Sequence, residues 1–250
     1  MLQLIAGSSA SARPNLLTGL SQVSDGDVFV PLIIRGNVGG DASEAPPDDP
    51  PDNEVHTGQA TFYGATGAGN CSFDATPDNL MVAAMNTTDY ANALLCGAYV
   101  EVTGADGVVT VRIVDRCPEC GPGHIDLSAE AFAAIADPIQ GIVPISWVIV
   151  SPELAGPLVY RFKEGSSQYW TAVQVRNHRN PIATLEYQTS DGSFTMVPRE
   201  MYNYFVEAGG MGPGPYTFRV TDIYGQVLVD EGIELIEAGE VSGAAQFAAP

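Results

Sequence analysis

From His56 onward, apolar residues recur in short runs with a period of two, and nearly every run is closed by Gly, Pro, Asp or Asn. Such a pattern places successive side chains on opposite faces of strands too short to stand alone, so the chain must form small sheets that cover one another. Ala60–Tyr63, Ala98–Val102, Val108–Val114 and Val143–Val150 read as strands, with Ala105-Asp106-Gly107 as the hairpin turn between the second and third. Ser167–Arg176, Ile182–Gln188, Ser193–Val197, Tyr216–Asp222 and Val227–Asp230 follow, punctuated by Asp191-Gly192 and Tyr224-Gly225. Their even spacing predicts an antiparallel sandwich over 158–241, with 242–250 as a tail. Helical spacing occurs once: Ser128 suits an N-cap, and Ala131, Phe132, Ile135 and Ala136 follow it.

Residues 1–55 read as an irregular N-terminal extension. Val28–Ile34 could make one strand, and the Pro- and Asp-rich stretch Ala45–Asp52 reads as an extended, self-repelling linker. Met1–Ala6 lacks the basic and apolar regions of a signal peptide. A first domain is expected over 56–151, joined to the sandwich by a short connection at 152–157.

Composition narrows the partners. Thirty acidic residues face ten basic ones, for a formal charge of −20. That argues against nucleic acid and anionic lipid, both of which need clustered Lys and Arg. No apolar run approaches the roughly 20 residues that a membrane-spanning helix needs. A neutral or cationic partner is expected, and no membrane association.

All four cysteines, Cys71, Cys96, Cys117 and Cys120, fall in the first domain, an even count that suggests two disulfides with three possible pairings. The Cys117-x-x-Cys120 spacing also admits a redox or zinc site. A redox motif usually opens a helix, however, and a zinc ribbon wants a second such knuckle. His56, His124 and His178 are too scattered for a metal site, so none is predicted. Asn70-Cys71-Ser72 and Asn86-Thr87-Thr88 have the form of glycosylation acceptors.

Several strings occur together and in order: Gly58-Gln59-Ala60-Thr61-Phe62-Tyr63-Gly64, Cys96-Gly97-Ala98-Tyr99-Val100, Val114-Asp115-Arg116-Cys117-Pro118-Glu119-Cys120 and Ile125-Asp126-Leu127-Ser128. Lys163-Glu164-Gly165-Ser166-Ser167-Gln168-Tyr169-Trp170, Gln174-Val175-Arg176-Asn177-His178 and Tyr202-Asn203-Tyr204-Phe205 follow. In these strings the chain resembles a bacterial-type expansin from about residue 56 to about 236. The resemblance implies a mainly β protein: a six-stranded double-psi β-barrel related to barwin and to inverting endoglucanases, then an immunoglobulin-like β-sandwich that binds cellulose. It implies a secreted protein, expected to be a monomer without cofactor, that loosens wall polysaccharide without hydrolysis. By analogy with barwin it favours Cys71–Cys96, leaving Cys117–Cys120.

The resemblance also places site residues. Asp126 corresponds to the general acid of the related endoglucanases, and Asp115 lines the same groove. Thr61 offers a hydroxyl where cleavage would want a carboxylate base. Asp126 could instead stabilise the helix start two residues later, and Asp115 could simply bond a turn. Cys117 stands where many relatives carry an aromatic groove residue. Tyr63, Phe73 and Tyr99 could supply aromatic surface, although core packing is the default for each. In the sandwich, Tyr169, Trp170 and Tyr202 match a three-ring cellulose platform and Lys163 a nearby cation. Adjacent residues on a regular strand point apart, so Tyr169 and Trp170 need a bulge or strand edge, or else Trp170 is core. Tyr187, Tyr204, Phe205 and Tyr216 are expected in the core. The competing readings are a polysaccharide-cleaving enzyme using Asp126, an endoglucanase or peptidoglycan lytic transglycosylase, and a purely adhesive wall protein.

Overall fold

The computed structural model describes residues 54–250. The strand expected at Val28–Ile34 and the linker at Ala45–Asp52 lie outside the described residues. Six strands, β1 (His56–Tyr63), β2 (Val82–Asn86), β3 (Tyr99–Thr103), β4 (Val108–Cys117), β5 (Ile125–Ser128) and β6 (Val143–Val150), close into a barrel in the order β1-β5-β2-β4-β3-β6. β1–β5 and β2–β4 pair parallel inside a ring that is otherwise antiparallel, as the crossed connections of a double-psi barrel require. Val100, Val102, Val111 and Ile113 fill the barrel, while Glu101, Thr103 and Thr110 face outward. All five residues of β2 are buried, so this strand has no alternation to reveal it. Two short helices follow strands: α1 (Thr87–Tyr90), capped by Asn86, and α2 (Ala129–Ala133), where the Ser128 hydroxyl accepts from the Ala131 N–H at 3.0 Å.

The second half is a β-sandwich. Its strands are β7 (Val159–Phe162), β8 (Thr171–Arg176), β9 (Ile182–Gln188), β10 (Phe194–Met196), β11 (Phe205–Glu207), β12 (Tyr216–Asp222), β13 (Val227–Ile233) and β14 (Glu240–Ser242). They form two sheets, β10-β9-β12-β13 and β11-β8-β7-β14. Tyr160, Phe162, Val173, Leu185, Phe218 and Val220 fill the space between. Two expectations are corrected. The strand read from Ser167 begins only at Thr171, because Ser167–Trp170 is a turn in which Ser167 N–H donates to the Trp170 carbonyl at 2.7 Å. The tail at 242–250 is part of the sandwich: Phe247 is 2% exposed in its core, and Ala248 N–H donates to Gln226 at 3.0 Å.

The seam between barrel and sandwich is polar and well bonded. Gln174 and Asn203 both donate to the Cys71 carbonyl, at 2.7 and 3.3 Å. This explains why β8 is buried on consecutive residues: its outer face meets the barrel. Arg176 bonds Asp74 at 2.7 Å and the Ser72 carbonyl at 3.2 Å. In the connection, Arg179 holds the Ser151 hydroxyl and carbonyl at 2.8 and 2.7 Å. Gly97 packs so closely on His178 that a Cβ there would lie 2.6 Å from the ring nitrogen Nε2.

His178 is buried at this seam and donates from Nδ1 to the Asn180 carbonyl at 2.8 Å. Burial pushes its pKa down from 6.5 to about 4, with the Arg199 and Arg112 charges adding to the effect. A depressed folded-state pKa means the unfolded chain binds the proton first. The stability is therefore present above pH 6.5 and is lost as pH falls towards 4, a contribution of about 3 kcal/mol. Denaturant melts across this range are expected to show the loss, and His178→Gln to flatten it; an unchanged slope in the variant would contradict the assignment.

Candidate functional site

β1, β5, β2 and β4 are neighbours in the barrel wall, and one rung crosses all four. Thr61 pairs with Asp126, Asp126 with Ala84, and Ala84 with Asp115. Residues paired across strands project from the same face, so the two acids flank Ala84, their Cα atoms two strand spacings apart, or roughly 10 Å. Two groups expected together, Thr61 and Asp126, are in direct contact: the Thr61 hydroxyl donates to Asp126 Oδ1 at 2.6 Å. His124 Nε2 lies 3.0 Å from the same hydroxyl. Since threonine has a single proton, and it goes to Asp126, His124 must donate here. The Asp126 carboxylate thus meets the opposite strand rather than the helix start.

Burial, the largest effect, raises the Asp126 pKa above the ordinary carboxylate value; the Thr61 bond and the His124 charge oppose the rise, while the Glu119 and Asp115 charges add to it. Asp115 is held differently. Its Oδ1 accepts the N–H of Asn70 at 2.6 Å and that of Arg116 at 2.8 Å. Gly69 leaves room for it, since a Cβ there would lie 2.4 Å from the Asp115 carboxyl carbon.

Tyr63, one of three rings expected either as aromatic surface or as core, stands on the same wall. It lies two positions after Thr61 on β1, on the same face, and its hydroxyl is buried without a hydrogen-bond partner. Burial raises its pKa, with the Asp115 and Asp126 charges adding. Phe73 is buried, and Tyr99 lies half-buried at the seam.

The loop before Asp126 is clamped from three sides. Asn86 donates to the His124 carbonyl at 3.1 Å, Asp89 accepts the Gly123 N–H at 2.7 Å, and Trp147 donates to the Gly123 carbonyl at 3.0 Å. Asn86 is fully buried in this clamp, which removes it as a glycosylation acceptor. Cys117 and Cys120 form a disulfide at the end of β4, and Cys71 pairs with Cys96. Cys117 is buried and bonded, so it offers the groove no ring. Among the described residues no cluster of His, Cys, Asp or Glu is suited to a metal.

The second set of residues lies on adjacent strands of one sheet. Lys163 follows β7, Trp170 precedes β8, and Tyr202 lies just before β11. The turn at 167–170 answers the alternation problem, because Tyr169 and Trp170 are not on a regular strand. Tyr169 is 76% exposed, and Trp170 is half-buried outside the sandwich core. Gly210 (φ +76°) backs this turn, where a Cβ would lie 2.1 Å from the Gln168 carbonyl. The buried Tyr204 ring stands between Lys163, whose Nζ is 5.9 Å from the ring centroid, and Tyr202, whose ring is at 6.0 Å. Tyr204, Phe205 and Tyr216 are buried and Tyr187 packs against the core.

Asn70, whose importance spacing does not show, ties the two sets together. Its N–H holds Asp115, while its side-chain amide donates to the Met201 carbonyl, next to Tyr202, at 2.8 Å. The Tyr90 hydroxyl donates to the same carbonyl at 2.8 Å.

Comparison with known proteins gives consistent results. A double-psi β-barrel family described as lytic transglycolase matches residues 56–147. The chain is 37% identical over 192 residues to Expansin-YoaJ of Bacillus subtilis (strain 168), spanning 75% of this chain and 82% of that one. The crystal structure of the apo Clavibacter michiganensis expansin superposes with a TM-score of 0.73 at 37% identity, covering 79% of this chain and all of that one. A point mutant of the same protein, solved in complex with cellohexaose, matches with the same TM-score and coverage at 36% identity.

Two substitutions test the groove. Gly69→Ala is expected to displace the Asp115 carboxylate and cost about 1–3 kcal/mol in a denaturant melt; an unperturbed melt would contradict the close packing. Because the folded protein holds the Asp126 proton more tightly than the unfolded chain, that contribution is full at acid pH and declines as pH rises through the elevated pKa. Asp126→Asn should therefore be more stable than the parent at neutral pH, with no advantage below about pH 4. Thermal melts over that range check the sign.

Proposed function

The chain belongs to the expansin family, and from that membership we propose that it is a secreted protein that binds cellulose or a related neutral β-glucan and loosens wall polysaccharide without cutting it. The observation that carries the reading is the partner of Asp126. Inversion at a glycosidic centre needs an acid and a separate carboxylate base with a water between them. Thr61 stands opposite Asp126, gives it its only hydroxyl proton, and cannot act as a base at neutral pH. Asp115 lies on the same wall, beyond Ala84, with its Oδ1 engaged by two backbone donors.

The groove does offer hydrogen bonds. Asp126 and Asp115 can exchange partners with the hydroxyls of one glucan chain and so compete with its neighbours. Tyr169, Trp170 and Tyr202 give flat apolar faces for the C–H faces of sugar rings, a contact that needs no charge complementarity and so tolerates the net charge of −20. Lys163 adds a donor beside them. The work of separating polymers then comes from binding energy at two places on the same chain.

A second reading is favoured by the raised pKa of Asp126 and by the lytic transglycolase match: cleavage with Asp126 as acid.

Wall-creep and paper-weakening assays beside a cellulose pull-down separate the possibilities. Asp126→Ala is expected to abolish loosening and keep cellulose binding. Trp170→Ala should weaken the pull-down roughly five- to tenfold, as the loss of one aromatic contact of about 1–1.5 kcal/mol implies. Release of reducing sugar or muropeptides that Asp126→Asn abolishes would overturn the non-hydrolytic reading. Binding without any loosening by the parent protein would favour adhesion.

A further inference from the structure

The seam holds a second pocket, of about 250 Å³, distinct from the groove and the aromatic residues. Phe73, Tyr99 and Arg112 line it from the barrel, and Arg176, Asn177 and Glu240 from the sandwich. Two guanidinium groups stand over one ring there: Arg112 lies 4.5 Å and Arg176 5.8 Å from the centroid of Phe73.

The two arginines are not equivalent. Arg176 is already engaged: it pairs with Asp74 and Glu240 at 2.7 Å each, and also bonds Gln174 and the Ser72 carbonyl, which uses four of its five N–H groups. Arg112 has no carboxylate within ion-pairing distance among the described residues, in a protein with three acids for every base. Its guanidinium is half-buried against Phe73, is hydrogen-bonded to Tyr99 and feels the charge of Arg176. A cation in such a position lacks its counter-charge. His178, behind Gly97, stays neutral near pH 7 and adds no further positive charge.

We propose that this pocket binds one carboxylate carried on a sugar-sized polar molecule, with Arg112 as its charge partner and the Tyr99 hydroxyl beside it serving its hydroxyls. The planar guanidinium fork matches a carboxylate in two parallel bonds. The volume falls below the roughly 300 Å³ at which pockets for drug-sized ligands begin, which suits a single ring. Asp74 and Glu240, whose side chains are 75% and 43% exposed, stand beside Arg176 and repel a ligand of higher negative charge or a polyanionic chain. A uronic acid has the right size, charge and hydroxyls, either as a free sugar acid or as a single uronate ending a neutral chain.

The test is a titration of the full chain with sodium D-glucuronate, followed by amide NMR, with D-glucose as the neutral twin and glucose 6-phosphate as the dianion. Saturable shifts at Gly97, Tyr99 and Asn177 are expected with glucuronate and not with glucose, and weaker binding of the phosphate. Arg112→Gln should weaken glucuronate binding at least tenfold. Glu240→Gln, which removes a repelling charge while keeping an acceptor for Arg176, should strengthen it severalfold, so the proposal does not hang on one variant. Equal shifts with glucose, unchanged affinity in folded Arg112→Gln, or weaker binding in Glu240→Gln would overturn it. A cello-oligosaccharide ending in glucuronate tells the two sources apart: affinity equal to the monomer's supports a polymer end, and its loss supports a free sugar acid. Cellulose pull-down is expected to be unchanged in Arg112→Gln, so this proposal and the glucan reading can fail separately.

Discussion

The segment Gly69–Asp74 is bonded on both sides, and the two halves of the protein meet through it. Towards the barrel, Asn70 N–H holds Asp115, Cys71 N–H donates to the Val114 carbonyl at 3.1 Å, and Cys71 is joined to Cys96. Towards the sandwich, the Asn70 side chain, the Cys71 carbonyl, the Ser72 carbonyl and Asp74 take Met201, Gln174 with Asn203, and Arg176. The disulfide closes a loop with a sequence separation of 25, which by loop entropy is a constraint of about 3 kcal/mol on the unfolded chain. With that anchor in place, each of these six residues except Gly69 forms part of the seam, and Gly69 makes room for the groove acid.

The groove itself rests on a smaller economy. Its acids are neighbours of one buried alanine, Ala84, and their environments differ although their chemistry is the same. Asp115 receives two fixed backbone donors, the N–H groups of Asn70 and Arg116. Asp126 receives one hydroxyl and is otherwise desolvated, which favours its proton. The two carboxyls sit in unlike surroundings on one wall, and the side chain in direct contact with Asp126 is a threonine rather than the other acid.

Much of the architecture was legible in the sequence. Val143–Val150, Ile182–Gln188 and Tyr216–Asp222 appear as strands at the bounds that alternation and turn residues suggest. Ser128 caps a helix, as its position before Ala131 and Phe132 predicts. β2 was not legible, because a strand buried on both faces loses its period, and neither was the turn at 167–170, whose residues run into the β8 strand without a Gly, Pro, Asp or Asn to mark the break. The motif strings brought Thr61, Asp115, Asp126 and Tyr63 into view, but Asn70 stands out only through contacts made at long range. Asn70 and Met201 are 131 residues apart, and no spacing rule reaches that far.

The bonded seam also decides how the protein can use two contacts at once. Modules on a flexible linker follow a bent polymer, and the linker's length sets their effective concentration. Here Ser151 is held by Arg179, and Met201 by Asn70 and Tyr90, so no slack separates the groove from the aromatic residues. A polymer that engages both gains the second contact at little further entropic cost only if its own path matches the fixed geometry. A chain kinked over that span forfeits one contact and with it the multiplication of affinity. On the proposed reading the seam is a template for conformation: what it selects is the shape of a polymer's path, over and above the chemistry of its sugars.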